Sequence, residues 1–192
     1  MPAVIIPDLK EAVAHQNLVR DAAFILGRES VAGIAVRPLT VRHVAALQAV
    51  GNPFVACGVP EAADVAAFLW LVSPGYDPRA RLRRWFFIRR LRRMPYLKLV
   101  EGIESWLAES FQDTQGGGKA GPTYFSFAAA LVGLIASEYG WSESAILELP
   151  VKRALQYRNE IQRRNNPNAP MFQPADRVIN RWLNRQTTTE AN

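Results

Sequence analysis

Eight arginines and no acidic residue fall between Arg79 and Arg93, in the run RARLRRWFFIRRLRRM (79–94), interleaved with Trp85, Phe86 and Phe87. Guanidinium groups pair with carboxylates or phosphates, and aromatic rings bury area or stack on bases. Arg83, Arg84, Trp85, Phe86, Phe87, Arg89 and Arg90 are therefore the main candidate contact residues. On a helix of about 3.6 residues per turn the arginines do not keep to one face, and the aromatics are spread as well. Such a helix fits a groove between neighbours, its arginine stems packing and its heads reaching acids. Nucleic acid is a second partner for this composition, and an anionic membrane surface comes last. Helix-turn-helix, zinc-finger and RNA-recognition signatures are missing.

The C-terminus repeats the theme. Lys152, Arg153, Arg163 and Arg164 share a predicted helix with Leu155, Tyr157 and Ile161. The connector NNPNAPMFQP (165–174) then carries Met171 and Phe172, and Arg177, Arg181 and Arg185 recur every four residues beside Val178 and Trp182. Met171, Phe172, Arg181 and Trp182 form the second candidate contact set. Their short amphipathic helix either folds back on its own domain or docks on a neighbour.

The rest of the chain offers little catalytic chemistry. His15 and His43 have no further ligands at metal-binding spacing and read as surface or packing residues. Cys57, between Ala56 and Gly58, reads as buried and inert, with no histidine beside it to make it a nucleophile. GGGKAG (116–121) lacks the spacing of a phosphate loop and no apolar strand precedes it, so it reads as a linker. Glu101 and Glu104, one helical turn apart, with Glu109 beyond, read as an acidic face, solvated or turned to a partner. No catalytic set, metal site or cofactor loop emerges, and the chain reads as a noncatalytic protein.

These residues sit in a chain of 192, ample for one domain with a real core. Hydrophobic residues make up 49% and charged ones 21%, which argues against wholesale disorder. A single cysteine excludes an internal disulfide. No apolar run reaches the ~18 residues of a membrane span, and the N-terminus makes a poor signal peptide, so a protein of a soluble, reducing compartment is expected. Charge is uneven. Residues 1–78 carry 5 basic and 7 acidic side chains, residues 94–149 carry 2 and 7, and residues 150–192 carry 8 and 3. Residues 79–93 alone exceed the net charge of +6. The acidic 94–149 segment, of the same or a neighbouring subunit, is an internal partner for the arginines.

The elements that must position these residues are helices. Asp8 opens a predicted helix running to Gly27. Thr40 caps one over 41–50, closed by Gly51. Asn52-Pro53 enforces a turn, and Pro60 suits the first turn of a helix over 60–73 with Val65, Phe68, Leu69 and Val72 inward. The basic helix spans 78–94. Pro95 starts the next, with Leu99, Ile103, Trp106 and Leu107 on one side. TQGGGKAGP (114–122) predicts a mobile loop. Helices follow over 123–139, from Pro150 to about Arg164, and over 175–185, with a short turn, SESAILEL, capped by Ser142. A small hairpin between 31–37 and 54–59 is the one β element considered. The expected fold is all-α: a compact multi-helix domain over 1–164 and an extended C-terminal arm over 165–192 ending in a short helix.

Two stretches resemble a known family. VRPLTVRHVAALQAVGNPFVACGVPEAADVAAFLWLVSP (36–74) is similar to a pattern in small proteins encoded among the tail genes of tailed bacteriophages. YGWSESAILELPVKRALQY (139–157) resembles the short helix, proline, longer helix element of phage tail assembly chaperones and related tail proteins. The resemblance implies a helical, noncatalytic protein without cofactor, which coats the tape-measure protein before the tail tube polymerises around it. It implies a phage tail protein, tape measure or tube, as partner; self-association of the chain is expected as well. It places the chain in the cytoplasm of the bacterial host, with retention in the virion as a neck or tail component left open. The arginine-rich segment and the arm are not part of the family pattern.

Overall fold

The computed structural model describes residues 29–56, 58–111 and 126–167. The expected helix over 8–27 with His15, together with Cys57, the 114–122 loop and the arm carrying Met171, Phe172, Arg181 and Trp182, lies outside the described residues.

The all-α expectation holds. Among the described residues there are eight helices and one two-stranded hairpin. The hairpin pairs β1 (Glu29–Val31) with β2 (Ile34–Val36), so Val31 faces Ile34 across a two-residue turn. Ala32 and Gly33 both take positive φ, as the tight turns that match strand twist require. The hairpin considered between 31–37 and 54–59 does not form among the described residues. Residues Pro53–Ala56 are a short helix, α2, because the buried Asn52 accepts the Phe54 N–H and turns the chain there.

Helix α1 (Val41–Ala49) begins at Thr40, whose hydroxyl accepts the His43 N–H, while His43 Nδ1 accepts the Thr40 N–H in return. Gly51, at φ 63°, closes that segment as expected. Helix α3 (Ala62–Leu71) starts later than expected, since Glu61, not Pro60, holds the capping position opposite Asp64. Its predicted inward residues Val65, Phe68, Leu69 and Val72 are all buried. Helix α4 (Arg81–Leu91) is the basic helix, and α5 (Tyr96–Ser110) follows Pro95 with Leu99, Ile103, Trp106 and Leu107 buried. Helix α6 (Phe127–Tyr139) is capped by Ser126 and stopped by a left-handed Gly140. Helix α7 (Glu143–Leu147) follows Ser142, and α8 (Val151–Asn165) follows Pro150.

One core joins these elements: Phe68, Leu69, Ile103, Ile135, Ile146, Leu155 and Ile161 are essentially inaccessible to solvent. The first turns of α1 and α8 are tied together. Val151 N–H donates to the Leu39 carbonyl at 2.7 Å, and Val41 N–H to that of Leu149 at 3.0 Å. Arg42 and Glu148 form an ion pair beside this junction at 2.6 Å. The hairpin packs on α5 at Gly102, where a Cβ would stand 3.1 Å from Ala32 Cβ. Helix α3 forms the platform on which α4 lies.

Candidate interaction surface

Helix α4 is where the charge and the aromatics meet. It is attached through Leu91, which is buried, and through Phe87 and Ile88, which are half-buried. Phe87 packs on Trp70 of α3 with ring centroids 5.4 Å apart. The opposite face carries Leu82, Trp85, Phe86 and Arg89, at the i, i+3, i+4, i+7 spacing of one helical stripe. Leu82 is 76% exposed, Trp85 52% and Phe86 63%. Trp85 and Phe86 meet edge to face at 4.9 Å, and the Arg89 guanidinium stands 5.3 Å from the centre of the Trp85 ring.

The aromatics are thus spread about the helix axis, as the sequence suggests, with Trp85 and Phe86 outward and Phe87 inward. The segment sorts its apolar residues onto two opposite faces, one inward and one outward, with arginines between. All eight arginines from Arg79 to Arg93 are exposed. Among the described residues none of their guanidinium groups pairs with a carboxylate, so the contact with the acidic 94–149 segment is not made within the same chain there.

Of the predicted contact residues, the structure brings Trp85, Phe86 and Arg89 together in the outer stripe. Arg83 and Arg90 flank it. Phe87 belongs to the packing face. Arg84 turns the other way, toward a groove of about 480 Å³ between α3 and the α4–α5 corner. Ala63, Ala66 and Ala67 line its α3 wall, with Arg84, Arg92 and Tyr96 opposite. The Tyr96 hydroxyl donates to the Pro60 carbonyl and steadies that corner.

Set against known proteins, the chain matches no family model, no curated protein and no solved structure. The surface must therefore be read from its own chemistry.

Sequence reasoning missed Leu82, which extends the outer stripe, and Leu97, 69% exposed at the start of α5. The signal for Leu82 was its spacing to Trp85, Phe86 and Arg89. Glu101 and Glu104 are exposed on α5, as expected of an acidic face. Glu109 instead accepts from Lys152 at 2.6 Å and serves the fold. His43 is a capping residue rather than a ligand. Among the described residues no three histidine, cysteine or acidic side chains converge as a metal site, and no helix is long and apolar enough to cross a membrane.

Proposed function

We propose that this chain is a noncatalytic morphogenesis protein of a bacteriophage tail module, a tail assembly chaperone that holds a long helical tail protein, tape measure or tube. The resemblance of 36–74 and 139–157 to small tail proteins supports the tail module, and α4 supplies the surface for the work. The observation that carries the binding role is the outer stripe of Leu82, Trp85 and Phe86, exposed and bordered by arginines that have no carboxylate partner among the described residues. Large aromatics and arginine dominate binding energy at protein interfaces. The partner it fits is an amphipathic helix with an apolar ridge and flanking acids. Work of this kind belongs in the host cytoplasm during assembly.

The same arginines favour a second reading, a nucleic-acid-binding module. Exposed Trp85 and Phe86 offer stacking faces, and Arg83, Arg89 and Arg90 offer phosphate contacts. Salt separates the two readings. Phosphate binding falls steeply with ionic strength because counterions are released, whereas an aromatic-centred protein contact changes less.

The deciding experiment purifies the tagged protein from phage-producing cells at moderate salt, with and without nuclease. Retention of the tape-measure or tube protein after nuclease, lost on Trp85→Ala with Phe86→Ala, is expected. Recovery of nucleic acid instead, released by high salt and by replacing Arg83, Arg89 and Arg90 with alanine, would replace this reading with the second. Recovery of the chain as a stoichiometric component of finished particles would make it a neck or tail structural protein instead.

A further inference from the structure

Three large apolar side chains on one exposed helix face are a liability unless something covers them. The chain itself carries a surface with the complementary properties. On α5 the exposed residues Leu97, Glu101 and Glu104 follow the i, i+4, i+7 spacing of one stripe. Leu97 is apolar, Glu101 and Glu104 are acidic, and neither acid has an ion pair among the described residues. The α4 stripe presents Leu82, Trp85, Phe86 and Arg89. Each stripe thus begins with an exposed leucine and carries a charge seven residues later, Arg89 in one and Glu104 in the other. Seven residues are roughly two helical turns, so the leucine-to-charge span is the same in both.

We infer that the outer stripe of α4 docks on the outer stripe of α5 in a second copy of this chain. Laid side by side in parallel, Leu82 meets Leu97 where Arg89 meets Glu104. Glu101 then falls level with Phe86, where Arg83 and Arg90 flank the α4 stripe. Both stripes face solvent on their own copy, so they meet only between copies. Nucleic acid would use the arginines but leave the acidic stripe unexplained. The contact joins two different patches, so it closes as a two-fold pair that uses it twice or propagates from copy to copy. The pairing stands on the purified chain alone. Only its further consequence, that a tail protein must displace the second copy from α4, rests on the function proposed above.

Sedimentation of the nuclease-treated, purified full chain tests this between about 5 and 200 µM, a span that brackets weak self-association. Self-association is expected, weakened roughly tenfold by Arg89→Glu and likewise by Glu104→Arg, because each places like charges together. Mixed in equal amounts, the two variants should associate with each other as the unmodified chain does with itself, and Arg89→Glu with Glu104→Arg in one chain should restore the pairing. Both sites are exposed, so circular dichroism should show each variant folded. A monomer across the whole range would overturn the inference. So would association that both single variants leave unchanged, or that disappears on nuclease treatment and thereby assigns the face to nucleic acid.

Discussion

The indole Nε1 of Trp106 donates a hydrogen bond to Oε2 of Glu29 at 2.6 Å, joining the middle of α5 to the first residue of β1. Lys152 of α8 stands 3.7 Å from Glu29 Oε1 and donates to Glu109 at 2.6 Å, so three elements far apart in sequence share one polar knot at the edge of the core. Hydrogen bonds to charged groups in such settings contribute about 1.5–3 kcal/mol. Trp106→Phe keeps most of the packing and should lower unfolding free energy by about 2 kcal/mol in urea titration. Glu29→Gln, which retains an acceptor, should cost less. A double-mutant cycle between Trp106→Phe and Glu29→Ala, each of which removes the bond, should show coupling; additive effects would mean that the bond does not act as a unit.

His43 links stability to pH. Burial is the largest influence and pushes its pKa below the ordinary 6.5; nearby Glu148 opposes this, and Arg37 and Arg42 add to it. Neutral Nδ1 accepts the Thr40 N–H, and a protonated ring cannot. The unfolded chain therefore binds more protons than the folded one in the window below 6.5. The contribution is fully present above that pH and is lost as pH falls through the lowered folded value. His43→Gln keeps a side-chain acceptor at the capping position and should flatten this part of the pH profile of the urea midpoint.

The aromatics of α4 should divide by face. Phe87→Ala removes a half-buried ring packed on Trp70 and should cost about 2–3 kcal/mol of stability, less than the ~3–5 kcal/mol of a fully buried Phe. Trp85→Ala and Phe86→Ala should each lie within about 0.5 kcal/mol of the unmodified chain, as surface changes do. Thermal melts of the three variants check this, and equal losses would mean that the outer stripe also serves the fold.

Gly102 should not tolerate a branched side chain. A Cβ there stands 3.1 Å from Ala32 Cβ and 3.2 Å from Ala32 N, so the hairpin turn must move to admit it. Gly102→Val should destabilise by roughly 1–3 kcal/mol, the usual range for overpacking, with the loss seen in chemical denaturation. Gly33→Ala, at φ 84° in open space, should cost about 1–2 kcal/mol from the backbone alone.

Local chemistry determined much of this protein before any tertiary contact. Thr40, Ser126 and Ser142 cap helices because a side-chain oxygen beside a free N–H acts within one turn. Gly51 and Gly140 end segments because positive φ is cheap only for glycine. The inward residues of α3 and α5 follow from apolar periodicity, and the density of arginine in 79–93 marks a strongly basic, exposed helix. Tertiary structure alone decided the rest. The Glu29–Trp106 and Lys152–Glu109 pairs span 77 and 43 residues, and no local spacing encodes them. The hairpin partner of β1 depended on a positive-φ Ala32, which composition does not announce. Above all, periodicity places Leu82, Trp85 and Phe86 on one stripe and Phe87, Ile88 and Leu91 on another, but it does not say which stripe is buried. Helix α3 made that choice, because Trp70 and the neighbouring core offer Phe87 and Leu91 apolar partners, leaving the other stripe to face outward.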